Sequence, residues 1–157
     1  MSNQYVDIMI DALVKKSKLL DRIINLNKQQ RNFLNDPNLG PDDLELNIKQ
    51  KGAIVDEILE LDTGFNQVYS RIKDELENNK ETYKEEIARL KELIREVTDK
   101  SQTVQSQEAR NKELLTKKLS SVKARAKTVR NSARVIDSYA KMTNYVSYDP
   151  QFMDDKK

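Results

Sequence analysis

Apolar residues recur along the first part of the chain on alternating three- and four-residue steps. Val6, Met9, Leu13, Leu20, Ile24 and Leu34 mark the stripe, with Ser17, Asn27 and Arg31 on its polar steps. This is the period of one helix face, and it predicts a helix over 4–35. A second stripe, Ala12, Leu19, Leu26 and Phe33, repeats every seven residues beside the first. The apolar face is thus wider than a two-stranded seam, so this helix should touch two neighbours.

The only dense cluster of helix breakers follows: Asn35-Asp36-Pro37-Asn38-Leu39-Gly40-Pro41-Asp42. Pro37 and Pro41 fix their own φ and disfavour helix just before them, and Gly40 can supply a positive φ. Asp42 or Asp43 then offers a carboxylate to cap a second helix, expected over 43–78. A loop this short makes an αα-hairpin.

From Leu44 the spacing resumes and runs to position 107 on one continuous series, interrupted only by Lys51, Asp62, Asn79, Glu86, Lys100 and Gln107. An unbroken helix over that span would be about 98 Å long at about 1.5 Å per residue, so a break is expected. The candidates, in order, are Asn78-Asn79, Asp62-Thr63-Gly64 and Thr98-Asp99-Lys100-Ser101. Beyond Val104 the phase slips by one residue, as a stutter would. A new series, Leu115, Leu119, Val122, Ala126, Val129, Ala133, Ile136, Ala140, then alternates four and three without a miss. The fold class expected is therefore all-α. A long antiparallel hairpin is joined by a long third helix, about 80–137, in an elongated three-helix bundle or coiled coil with a short C-terminal tail. The corresponding segments are 1–108, 109–138 and 139–157.

Charge changes this picture more than composition does. The chain carries 28 Lys+Arg and 26 Asp+Glu, a net +2. That balance hides an acidic middle and a basic end. Residues 110–134 hold nine cations and one anion, Glu113, whereas 53–77 hold seven acids against Arg71 and Lys73. Only 37% of residues are hydrophobic and 34% are charged, which suits narrow helical seams and not a wide core.

Absent residue types remove whole chemistries. The chain has no Cys and no His, hence no disulfide framework, thiol nucleophile, imidazole ligand or Ser-His-Asp triad. Its three glycines are too scattered for a phosphate-cradling loop. An enzyme is not expected, nor a cofactor or metal site. The longest apolar runs, such as Ile8-Met9-Ile10, are far short of a membrane span, and Asp7 and Asp11 stand where a signal peptide needs a basic start. A cytoplasmic protein without membrane insertion is expected.

Several polar residues fall on the seams. Asn27, Asn79 and Asn111 are expected at the solvent edge, the commoner place for a seam asparagine, although a buried one can fix register. Lys51 is expected to lay its stem along the seam with its amine in water. Tyr69 and Tyr83 should be core. Carboxylate pairs such as Glu85-Glu86 and Asp154-Asp155 read as solvated faces and not as acid/base machinery.

The basic amphipathic stretch 110–136 is the sharpest functional feature. It is either a third bundle helix with a solvated cationic face, or a helix whose stripe overhangs the hairpin and receives a partner. Burying Leu115, Leu119, Val122, Val129 and Ile136 would give about 8–15 kcal/mol gross, against about 4–15 kcal/mol for association. That matches micromolar affinity, not picomolar. Nucleic acid ranks last among partners, because no aromatic lies between 110 and 138 to stack a base and the basic run follows the heptads instead of preceding them. The tail carries Tyr139, Tyr145, Tyr148 and Phe152 without helical spacing, the character of a short recognition segment.

Three segments carry a family resemblance: LNIKQKGAIVDEILELDTGF at 46–65, YKEEIARLKELIREVTDKSQTVQSQEARNKELL at 83–115, and YDPQFMDDKK at 148–157. With the opening helix they resemble the FlgN family of flagellar export chaperones, especially the forms of Gram-positive bacteria. Lys51 and Arg110-Asn111 would be its polar anchors. The resemblance implies a small cytoplasmic helical chaperone without catalytic activity. It would bind the C-terminal helices of the hook–filament junction (hook-associated) proteins and deliver them to the flagellar type III export gate. The substrate face would be Leu115, Leu119, Val122, Ala126, Val129 and Ile136, and Phe152, or secondarily Tyr148, would dock on the export gate. A coiled-coil scaffold or adaptor is the alternative, with a basic-helix nucleic-acid-binding protein behind it. A homodimer of the apo protein through the exposed stripe stays open.

Overall fold

In a computed structural model the chain forms three long helices: α1 (Gln4–Asn35), α2 (Pro41–Asn78) and α3 (Lys84–Ser121). The structure describes residues 3–36, 38 and 41–121, the side chains of 41 and 119–121 excepted. No strand occurs among them.

Local chemistry accounts for each boundary. Asn3 caps α1, its Oδ1 accepting from the Tyr5 amide at 2.8 Å, and Asp7 places an anion in the first turn. At the other end Asp36 turns extended, and its carboxylate accepts the Asn38 amide at 2.9 Å in an Asx turn. The second helix starts two residues earlier than expected. Pro41 opens it, where a missing N–H costs nothing, so Asp42 and Asp43 occupy the first turn and do not cap.

The break falls at the first expected place. Asn79 folds its Nδ2 back onto the Glu75 carbonyl at 2.9 Å, and the Tyr83 amide donates to the Asn79 carbonyl at 3.1 Å. The other two candidate breaks are helical throughout. There hydroxyls bond back to their own helix, Thr63 Oγ1 to the Leu59 carbonyl and Ser101 Oγ to Val97, and just beyond the second site Thr103 Oγ1 does the same to Asp99. A hydroxyl used this way no longer competes for a cap.

Interhelical bonds give the directions. Partners on α1 and α2 approach a constant sum, as in Lys16–Asp62 and Asn27–Lys51, so the two are antiparallel. Partners on α1 and α3 keep a nearly constant difference, as in Asn3–Tyr83, Asn27–Gln107 and Asp36–Lys118, so these two are parallel. Helix α1 packs against both neighbours, the role its double stripe predicts. Val6, Met9, Leu20 and Ile23 on α1, Val55 and Ile58 on α2, and Leu90 and Val104 on α3 are essentially sealed from solvent. Tyr83 is buried and Tyr69 half-buried, as core tyrosines should be.

Candidate partner face and the polar layers behind it

Most residues that interrupt the seams meet one another. Lys51 is 1% exposed, and its Nζ donates to Asn27 Oδ1, Gln30 Oε1 and Glu108 Oε1, each at 2.8 Å. All three donors of the ammonium are therefore satisfied, and one residue ties α2 to both other helices. Asn111 Nδ2 extends the layer, donating to the Asn27 carbonyl at 2.9 Å and to Gln30 Oε1 at 3.0 Å. Gln107 accepts from Asn27 Nδ2 and donates to the Ile24 carbonyl, both at 3.2 Å. Burial holds the Lys51 ammonium below its usual pKa and pushes the Glu108 carboxyl above its own, while their mutual attraction opposes both shifts.

This layer corrects two expectations. Lys51 does not reach water, because three side-chain oxygens replace its hydration shell. Asn27 and Asn111 are buried and not at the edge, and only Asn79, in the turn, is exposed. Two of the polar anchors implied by the resemblance, Lys51 and Asn111, thus share one network, while Arg110 is exposed beside it.

A second polar level lies nearer the start of α1. Lys16 Nζ and Asp62 Oδ1 meet at 2.6 Å between α1 and α2, both residues buried. Asp62 Oδ2 has no hydrogen-bond partner among the described residues, and burial raises the carboxyl's pKa against the pull of Lys16. On the α3 side, Ser17 donates to Glu96 at 3.0 Å and accepts from Lys100 at 2.7 Å, and Lys100 also pairs with Asp21 at 3.0 Å.

These layers also remove the stutter. Buried or half-buried positions on α3 run Leu90, Ile94, Val97, Ser101, Val104, Glu108, Asn111, Leu115, alternating four and three without a slip. The slip comes from stepping over Ser101, Glu108 and Asn111 because they are polar. The seam of the bundle and the stripe beginning at Leu115 are one register.

The expected substrate face therefore begins inside the core. Leu115 is 5% exposed and packed in the bundle, so in this conformation it gives a partner no free surface. The backbone of Leu119 is helical, within α3. Val122, Ala126, Val129, Ile136, Tyr148 and Phe152 lie outside the described residues. Helix α1 ends at Asn35, level with Lys118 of α3, whose Nζ donates to the Asp36 carbonyl at 2.8 Å. Among the described residues no cluster of His, Cys, Asp and Glu could hold a metal ion, and no helix is long and apolar enough to cross a membrane.

Fold and layers together define an elongated all-α bundle whose three helices are locked in register by buried polar side chains. Its family follows from sequence: the model described as FlgN protein matches residues 1–145. The chain belongs to the FlgN family, a family of flagellar export chaperones. No curated protein and no solved structure gives a significant match.

Proposed function

We propose that this protein is a cytoplasmic chaperone that binds the C-terminal helices of hook–filament junction proteins and delivers them to the flagellar type III export gate. The observation that carries the reading is a mismatch of lengths. Helix α1, which covers the α3 seam, ends level with Lys118, whereas the apolar series continues in phase through Leu119, Val122, Ala126, Val129 and Ile136. A client's amphipathic helix would take the place beyond residue 118 that α1 takes before it, by helix-in-groove packing. Leu115, packed in the bundle, would mark the boundary between the internal partner and the client. Phe152, with Tyr148 as second choice, is the proposed contact to the gate.

The test is a pull-down of purified hook-associated proteins by the full chain and by the Leu119→Asp/Val129→Asp double variant. Binding should fall at least tenfold while the urea unfolding of the bundle is unchanged. Equal binding by both proteins would remove the face. A monomeric mass by sedimentation at tens of micromolar would dispose of the homomeric coiled-coil alternative.

A further inference from the structure

A groove of about 480 Å³ runs between α1 and α3 directly over the Lys51 layer. Asn27, Gln107 and Asn111 line it, held in place by the bonds described above. Lys28 and Arg31 from α1 and Arg110 from α3 stand along it, all exposed, beside Thr103 and Ser106. Asp99 is the only carboxylate among the lining residues, and none of the three cations has an ion pair among the described residues.

The contrast within the same helix pair is informative. Nearer the start of α1, Lys100 reaches across to Asp21 and Ser17, so a cation at this interface can be neutralised by the facing helix. Over the Lys51 layer, exposed cations from both helices line one groove, and like charges sharing a surface repel. The helix dipole does not account for them. Its pull on cations fades beyond the last turn, the last turn of α1 holds no basic residue, and Arg110 is inside α3. The groove also opens the basic run that continues to Arg134.

We propose that this groove docks an acidic segment of a partner protein, with Lys28, Arg31 and Arg110 pairing its carboxylates and Ser106 donating to them. The occupant is a peptide and not a nucleic acid because amides and hydroxyls line the groove and no aromatic does so to stack a base. The surface lies wholly within the described bundle, so it stands or falls separately from the client face beyond residue 118.

The experiment titrates the nitrogen-15-labelled full chain with a fifteen-residue helical peptide of Ala and Glu, five of them Glu, and with its Gln counterpart. Amide shifts from the Glu peptide should centre on 27–31 and 99–111, and the Gln peptide should give none. The K28Q/R31Q/R110Q variant should bind the Glu peptide at least tenfold more weakly. A K18Q/K49Q/R71Q variant, with the same change in charge outside the groove, should stay within threefold of the parent. Both variants alter exposed side chains only, and unchanged helicity by circular dichroism confirms their folding. Equal weakening by both variants, or shifts centred beyond residue 121, would overturn the proposal. So would oligothymidylate of equal charge binding the same groove as tightly as the peptide.

Discussion

The two polar levels of the bundle place a lysine in an apolar seam under opposite terms. At the Lys51 level every ammonium proton has an acceptor and the acceptors come from α1 and α3. At the Lys16 level the ion pair joins only α1 and α2, and one oxygen of Asp62 is buried without a partner. Desolvating a charge costs several kcal/mol, and only a complete set of hydrogen bonds offsets that cost. The first level can therefore specify which helices meet and in what register, and the second holds two helices at a net cost in desolvation. Distance alone would have ranked them the other way, since the Lys16–Asp62 contact is the shorter at 2.6 Å.

The largest effect should come from emptying the complete layer. Lys51→Ala leaves the half-buried Glu108 without its counter-charge and strips Asn27 Oδ1 and Gln30 Oε1 of their donor. Breaking a buried pair from one side costs about 3–5 kcal/mol, and Lys51→Met, which keeps the stem, should cost nearly as much. Urea unfolding followed by circular dichroism reads both. A cost below about 1 kcal/mol, the scale of an exposed pair, would mean that the amine is solvated, and the contrast between the levels would collapse.

The incomplete level should respond in the opposite sense. Replacing both partners, Lys16→Met with Asp62→Leu, removes the desolvated pair and the unsatisfied oxygen together. Such replacements are neutral or stabilising by about 1–4 kcal/mol. The gain should also depend on pH. Burial raises the Asp62 carboxyl above its ordinary 3.8, so the folded state holds that proton more tightly than the unfolded chain. The stability this contributes is complete below 3.8 and is lost as pH rises through the folded value. The advantage of the double variant should accordingly be larger at neutral pH than at pH 4. Glu108 shifts in the same direction but is present in both proteins, so the difference between them isolates Asp62. A double variant less stable than the parent at neutral pH would show that the pair earns its place energetically.

How far the sequence discloses these levels depends on which information is local. Helix type, the bounds of α1 and the break at Asn78-Asn79 follow from spacing and from residues that cap or turn on themselves. The identity of the seam on α3 does not. Lys51, Glu108 and Asn111 are polar, so a hydrophobic pattern treats them as gaps, yet each is buried or half-buried through partners 21 to 84 residues away. One signal was legible: both seams carry polar gaps, Ser17 and Asn27 on the first and Lys100 and Gln107 on the later one, and each of these gaps meets one on the other helix. The candidate face was legible only as a stripe. How far the core follows that stripe depends on the length of α1, which places Leu115 inside the bundle.

The smallest test concerns the helix beside the incomplete level. Gly64 lies inside α2 two residues after Asp62, half-buried, with φ negative and with no atom within 4 Å of where a Cβ would stand. A helix-interior glycine costs about 0.5–1 kcal/mol relative to alanine through the freedom it retains when unfolded. Nothing in the bundle recovers that loss by close packing at this position. Gly64→Ala should therefore raise stability by about 0.5–1 kcal/mol, visible as a higher urea midpoint at unchanged slope. If alanine instead destabilises the protein, the backbone beside Asp62 departs from regular helix. The sequence's second candidate break would then be a real point of weakness, and the incomplete level would owe its unpaired oxygen to backbone geometry and not to a missing partner.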